Sequence, residues 1–251
     1  MGGDIARDGN LHEYELELAK REFDSLGIPY HTVSGNMDVG NKRMNLSQGE
    51  LTDAARECDA EFGTRAEWVA QFKNVFGPSE WSFEHKGVRF SGANTILAGS
   101  GLPEEAHFWD WMEAQRQTPP AAAHVWMFNY PLFIHSPDEP NWDGNNPEQY
   151  LPWYFGTDTP HRERIIDILK ATNTQIVLSG HIHNQVTRNI GGIRYFYGPS
   201  TTGMGQFLEL GPDSNLQPGF YRFDVDESSI SGQFVGLTKE SKLTGYGPGG
   251  T

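Results

Sequence analysis

The chain lacks most of what would brace it covalently or hold it in a membrane. Its 251 residues include one cysteine, Cys58, so no internal disulfide can form. That accords with a reducing compartment such as the cytoplasm. No apolar run approaches the roughly 18 residues that a membrane-spanning helix needs, and no signal-peptide pattern follows Met1. Positive charge is scarce too: 19 Lys and Arg stand against 33 Asp and Glu, for a net charge of -14. Without a basic stripe, a nucleic-acid partner held through its phosphates is not expected.

What is present is material for a core. Hydrophobic residues make up 37% and aromatics 12%, with seven tryptophans, which argues against wholesale disorder. The 29 glycines and 15 prolines point to many turns and long loops. No internal repeat is visible.

Periodicity predicts a helix over residues 11–26, with Leu11, Tyr14, Leu18 and Phe23 along it and Gly27 as its stop. A strand is expected over 28–33, then a turn at Gly35-Asn36 and a polar loop over 39–47. Helices are predicted over 51–62 and 66–76, and a hairpin turning on Lys86-Gly87. A further helix over 103–117 carries Phe108, Trp109 and Trp111 as a core stripe. Strands are expected over 125–128 and 175–178, separated by a long loop at 135–159 and a helix over 162–171. Arg162 and Arg164 read as solvated charges on that helix. The stretch 186–237 alternates like antiparallel strands, with Gly191-Gly192 as a hairpin turn. The whole reads as one layered α/β domain over 1–243, a β-sheet core flanked by helices, followed by a flexible Gly-rich tail at 244–251.

The strongest chemical signal is Gly180-His181-Ile182-His183, placed where a buried strand ends. Residues two apart in extended chain share a face, so both imidazoles could meet one ion or an adjacent pair. Gly35-Asn36-Met37-Asp38 also follows an expected strand, and Asn36 offers an amide oxygen that suits a hard divalent ion. Gly3-Asp4 supplies a carboxylate that could bridge two ions. Asn129-Tyr130-Pro131 again follows an apolar strand. Each of these is weak alone; in order, all lie at the carboxyl ends of strands, where α/β sheets collect their sites.

That ordered set resembles the calcineurin-like metallophosphoesterases, over most of the chain from Gly3 to about Gly203. Gly198-Pro199-Ser200-Thr201 resembles the strand and turn that follow the Gly-His-x-His element in that family. The resemblance implies an αββα sandwich and two divalent metal ions, with Mn, Fe, Zn and Mg not distinguished. It implies metal ligation by Asp4, Asn36, Asn129, His181 and His183, and hydrolysis of a phosphorylated small molecule or other phosphoester. Met37 and Asp38 would take the family's catalytic positions, Asp38 orienting its neighbours.

Three departures accompany it. The family's opening Asp-x-His on a first strand is absent, and an upstream segment carrying it is expected in the natural protein. The family's Gly-Asn-His-Asp reads Gly-Asn-Met-Asp, and a methionine cannot transfer protons. The family's His-x-Pro reads Asn129-Tyr130-Pro131, which tilts metal preference toward harder ions; His135 is a candidate stand-in. Impaired hydrolysis is therefore expected. The alternative is a non-catalytic relative that binds a ligand or protein partner through the old cleft, with Trp142, Tyr150, Trp153 and Tyr154 of the long loop as a recognition surface.

Overall fold

The computed structural model describes residues 1–41, 63–144, 146–201, 210, 214–226 and 229–238. The helix expected over 51–62, most of the 39–47 loop and the 244–251 tail lie outside them.

Six strands form the central sheet: β1 (Trp81–His85), β2 (Val88–Gly92), β3 (Ala123–Phe128), β4 (Thr174–Ser179), β5 (Val186–Ile190) and β6 (Ile193–Tyr197), in the order β1-β2-β3-β4-β6-β5. The inner four, β2, β3, β4 and β6, are parallel, and β1 and β5 close the edges antiparallel. The two edge hairpins turn where glycine pairs predicted them. Lys86-Gly87 (φ 50° and 75°) and Gly191-Gly192 (φ 59° and 82°) both occupy the left-handed region that hairpin turns require. A second, two-stranded sheet of β7 (Gly219–Val225) and β8 (Ile230–Gly236) completes the strands.

Buried parallel strands present apolar side chains to both faces, and β3 and β4 do so. Trp126, Phe128 and Val177 face one way, into a cluster with Phe108, Trp109 and Met112 of helix α4 (Pro103–Gln117) and Ile165, Ile168 and Leu169 of helix α6 (His161–Ala171). Val125 and Ile176 face the other way, where Phe196 meets Ile230, Tyr221 and Phe223 of the β7–β8 ribbon. Each large side chain so buried contributes on the order of 1.5–3 kcal/mol. The sheet is thus flanked by helices, and α4 begins as its sequence suggests, with Pro103 in the first turn and Glu104 and Glu105 beside the helix's positive end.

A smaller cluster joins α1 (Glu13–Ser25), α2 (Asn36–Val39) and α3 (Ala66–Phe76) through Leu16, Val39, Trp68 and Phe72. Here the structure corrects three expectations. On α1 the packed residue is Leu16, while Leu11, Tyr14 and Leu18 are about half exposed. Residues 28–33 form no strand among the described residues; Val33 N–H donates to Met1 O at 3.2 Å and the Met1 amino group to His31 O at 2.7 Å. Gly35-Asn36 opens the short helix α2, not a simple turn.

The long 135–159 loop contains helix α5 (Tyr150–Phe155). It is tied down by Arg162, which is 2% exposed rather than solvated. Its guanidinium donates to the backbone carbonyls of Glu139 and Thr157 and lies 3.7 Å from the Glu139 carboxylate. That carboxylate in turn accepts the Ile134 and His135 amides, each at 2.9 Å. An unpaired buried guanidinium is costly; these partners turn that cost into a fixed loop. Among the described residues no helix is long and apolar enough to cross a membrane.

Candidate functional site

β3 and β4 run parallel side by side, so the segments that leave their carboxyl ends emerge together. β3 delivers Asn129 and β4 delivers Gly180 and His181, joined by a Gly180 N–H to Asn129 O bond of 3.0 Å. Met1 to Asp4 passes over this edge. The Asn129 Nδ2 group donates to Gly2 O at 2.7 Å and reaches Asp4 Oδ2 at 3.4 Å. The first turn of α2 closes the group, its Met37 amide donating to Asp4 Oδ1 at 3.0 Å. His181 Nδ1 lies 3.9 Å from Asp4 Oδ2, too far for a direct hydrogen bond. Asp4, Asn36, Asn129 and His181 therefore come from four distant stretches of chain into one place.

Glycine makes this closeness possible. A Cβ on Gly35 would collide with the Asp4 backbone nitrogen and carboxylate and lie 2.7 Å from Asn129 Nδ2. The backbone is also strained here. Asp4, His181 and His183 hold φ of 52°, 66° and 52°, a region non-glycine residues seldom occupy and one that marks functional sites when the surroundings enforce it.

Two buried amide oxygens, Asn36 Oδ1 and Asn129 Oδ1, have no hydrogen-bond partner among the described residues. The Asn129 orientation is set by the other half of its amide, whereas a hydroxyl, able to donate or accept, holds the Asn36 amide without choosing its ends. Asn129 Nδ2 is held by a carbonyl that can only accept, and Asn36 Nδ2 donates to the Tyr154 hydroxyl at 3.1 Å. Buried acceptors left unpaired are uncommon in folded proteins. No three His, Cys, Asp or Glu side chains group as a metal site among the described residues; the candidate donors here mix a carboxylate, an imidazole and amide oxygens.

Charge is tightly managed. Burial drives the Asp4 carboxyl up, but His181, the Met37 amide and Asn129 outweigh it, and its pKa falls below the usual value. Asp38 lies fully buried behind it, accepting the Ile5, Ala6 and Gly35 amides at 2.9–3.2 Å. Burial and the Asp4 charge push it up to about 7 despite those donors. Its bonds brace the Asp4 turn against α2. His183 is half-buried; desolvation lowers its pKa, while Asp4 raises it and His181 lowers it further, which puts it within electrostatic reach of the same carboxylate. Met37 is half-buried beside Asn36, its sulfur 3.5 Å from Asn36 Nδ2. His135 is exposed, its backbone engaged with Glu139, and none of its recorded contacts reach this group.

Aromatic rings enclose His181: Tyr130 at 3.9 Å, Phe155 at 4.9 Å and Tyr154 at 5.0 Å between ring centroids. The Tyr154 carbonyl also lies 3.3 Å from His181 Nε2. Sequence reasoning placed Tyr154 on a recognition surface and missed these contacts. The one local hint was its i, i+4 spacing from Tyr150, with which it stacks at 5.9 Å.

Comparison with known proteins identifies the family and the fold. The calcineurin-like phosphoesterase family model matches residues 1–185. A serine/threonine-protein phosphatase of Danio rerio, CPPED1, is 30% identical over 171 residues, which is 66% of this chain and 44% of that protein. The chain thus spans less than half the length of this curated relative. A purple acid phosphatase from yellow lupin (Lupinus luteus) seeds shares the fold with a TM-score of 0.52 at 15% identity, covering 93% of this chain and 43% of that one.

Proposed function

Because the chain belongs to the calcineurin-like phosphoesterase family, we propose that it hydrolyses phosphate esters with the help of a divalent metal ion held by Asp4, Asn36 and His181. The observation that carries this is the buried Asn36 oxygen, unpaired among the described residues and one residue from the Met37 amide that binds the Asp4 carboxylate, which in turn faces His181 Nδ1 at 3.9 Å. A carboxylate, an imidazole and an amide oxygen with no donor are what a cation would satisfy. The oxygen-rich set favours a harder ion such as Mn²⁺ or Mg²⁺ over one that prefers nitrogen and sulfur. Such an ion supplies positive charge for phosphate oxygens and lowers the pKa of water toward neutrality.

The chain's own residues do the rest. Asn129 donates to Asp4 and Gly2 O, fixing the carboxylate against the sheet edge. In this orientation it offers Asp4 its nitrogen, so it acts as a brace; its oxygen would join a shared ion only if the amide turned. Asp38 holds the turn behind Asp4. His183, near enough to feel Asp4, is the residue we assign to a second ion, which needs further ligands for a tight site. By resemblance Met37 takes the position of the family's histidine, and a thioether cannot transfer protons, so slow turnover is expected.

Hydrolysis of p-nitrophenyl phosphate in the presence of Mn²⁺ tests this. Slow turnover is expected, removed by chelator, and His181→Ala is expected to lower it by roughly a hundredfold or more, several kcal/mol of lost charge stabilisation. Tight Mn²⁺ binding without any turnover would replace this reading with that of a metal-holding binding module.

A further inference from the structure

We propose that Tyr154 is the positioning residue of this site, holding Asn36 through its hydroxyl and His181 through its backbone carbonyl. The inference rests on the metal-site reading above and deepens it. The two held side chains lie 145 residues apart in sequence (181 minus 36), and one residue of α5 touches both.

The chemistry of each contact is directional. An amide nitrogen only donates, so in the 3.1 Å contact between Asn36 Nδ2 and the Tyr154 hydroxyl the tyrosine oxygen accepts. The contact holds the plane of the amide, with Oδ1 as the end that has no partner among the described residues. A carbonyl only accepts, so the 3.3 Å contact from His181 Nε2 to Tyr154 O keeps a proton on Nε2. The nitrogen that can give a lone pair to a cation is then Nδ1, the one that faces Asp4 Oδ2 at 3.9 Å. A histidine ligand held by a carbonyl on its far nitrogen is the usual way that tautomer and ring orientation are set.

The element that carries Tyr154 is itself fixed, as a positioning residue requires. Its ring stacks on Tyr150 and meets Phe155 edge-on at 5.0 Å. The segment after it is pinned by the Thr157 hydroxyl donating to Pro131 O at 3.0 Å and by the buried Arg162. The long loop therefore reaches the site through a rigid helix turn, and the 150–155 segment is coupled to metal affinity.

The test is Mn²⁺ binding, read by electron paramagnetic resonance on the full 251-residue chain. The proteins compared are wild type, Tyr154→Phe, Asn36→Ala, the double variant and His181→Ala. Phenylalanine keeps the ring and the carbonyl and removes only the hydroxyl. Loss of such an outer partner typically weakens a metal site about 10- to 100-fold, and about tenfold is expected for Tyr154→Phe, since the His181 contact survives. The double variant should bind no more weakly than Asn36→Ala alone, because the hydroxyl acts through that amide. Urea midpoints should be unchanged within error, separating positioning from loss of fold. Wild-type affinity in Tyr154→Phe, with Asn36→Ala and His181→Ala both weakened, would overturn the role of Tyr154 and leave the metal site standing. Additive losses in the double variant would also overturn it. Affinity that is absent in wild type, or unmoved by Asn36→Ala and His181→Ala, would remove the metal-site reading and this inference with it.

Discussion

Two polar clusters at opposite ends of the central sheet are built in different ways. At the amino end, His124 opens β3 fully buried, and both its ring nitrogens have partners: Ser91 Oγ at 2.8 Å and Thr172 O at 3.3 Å. Ser91 in turn meets Ser82 Oγ at 2.9 Å. The left-handed residue there, Asn173, has a local use, its side chain donating to Ala121 O and Ala122 O. At the carboxyl end, Asp4, His181 and His183 are left-handed, His181 at the centre of a turn closed by Ile182 N–H to Gly180 O at 2.8 Å, and Asn36 and Asn129 keep buried oxygens unpaired among the described residues. A satisfied network stabilises a fold; an unsatisfied, strained one is retained where a ligand completes it. The same sheet therefore separates a structural polar cluster from the proposed functional one.

The sharpest way to break that contrast is Gly35→Ala. The backbone at Gly35 is extended, φ -112°, so alanine is not excluded by conformation. The obstacle is space, since its Cβ would occupy the position of the Asp4 nitrogen and carboxylate. Either α2 or the Asp4 turn must move. Loss of Mn²⁺ binding by more than about a thousandfold is expected if the site depends on this approach, roughly 4 kcal/mol, with a stability loss of about 1–3 kcal/mol from overpacking. Metal titration alongside urea denaturation measures the two separately. An alanine variant that binds metal as wild type would show that the close approach is incidental.

Next in size is a pH effect confined to the amino end. Burial pushes the His124 pKa down to about 4 from 6.5, with Arg89 adding to it and the Thr172 carbonyl opposing it. The folded pKa lies below the unfolded one, so the unfolded chain takes up the proton first. The stability His124 contributes is whole above pH 6.5 and is lost as pH falls toward 4, by about 3 kcal/mol at most. Other groups titrate in the same range, so the measurement is the difference between wild type and His124→Asn across urea curves from pH 7 to pH 4.5. The wild type should lose about 2 kcal/mol more than the variant near pH 5. Parallel curves would mean that His124 is not held neutral by the fold.

The elements with their own local signals were legible in the sequence. The 103–117 helix, both glycine-marked hairpins and the strands leading to Asn129 and His181 all follow from periodicity and turn chemistry. Asn129 and His181 meet because β3 and β4 lie side by side, whereas Asp4 and Asn36 reach them without following strands of the described sheet. What escaped depends on distant partners. Leu11, Tyr14 and Leu18 have helical spacing, yet α1 turns Leu16 inward because α3 supplies Trp68 and Phe72 on that side. Arg162 has the composition of a surface residue and is buried because Glu139, 23 positions earlier, lines its path. Tyr154 acquires its role from a hydroxyl and a carbonyl that meet residues 118 and 27 positions away, and nothing local in the sequence announces such contacts.

The smallest expected effect sharpens the contrast from the side of chemistry. Met37 packs its sulfur by the Asn36 amide, while its backbone, not its side chain, holds Asp4. Replacing the side chain should therefore leave the carboxylate in place. Met37→His restores the residue that the family carries there and adds a group able to give up a proton near neutral pH. General acid help is typically worth about 10²- to 10⁴-fold in a site built for it. In a site that has packed around a thioether, about tenfold in kcat is expected, with a new fall in rate as pH rises past the pKa of the introduced imidazole. Mn²⁺ affinity should stay within about twofold, since the residue acts on the leaving group and not on the ligands. A rate gain without the pH limb would assign the effect to packing, and a loss of metal affinity would show that the Met37 sulfur is part of what holds Asn36 in place.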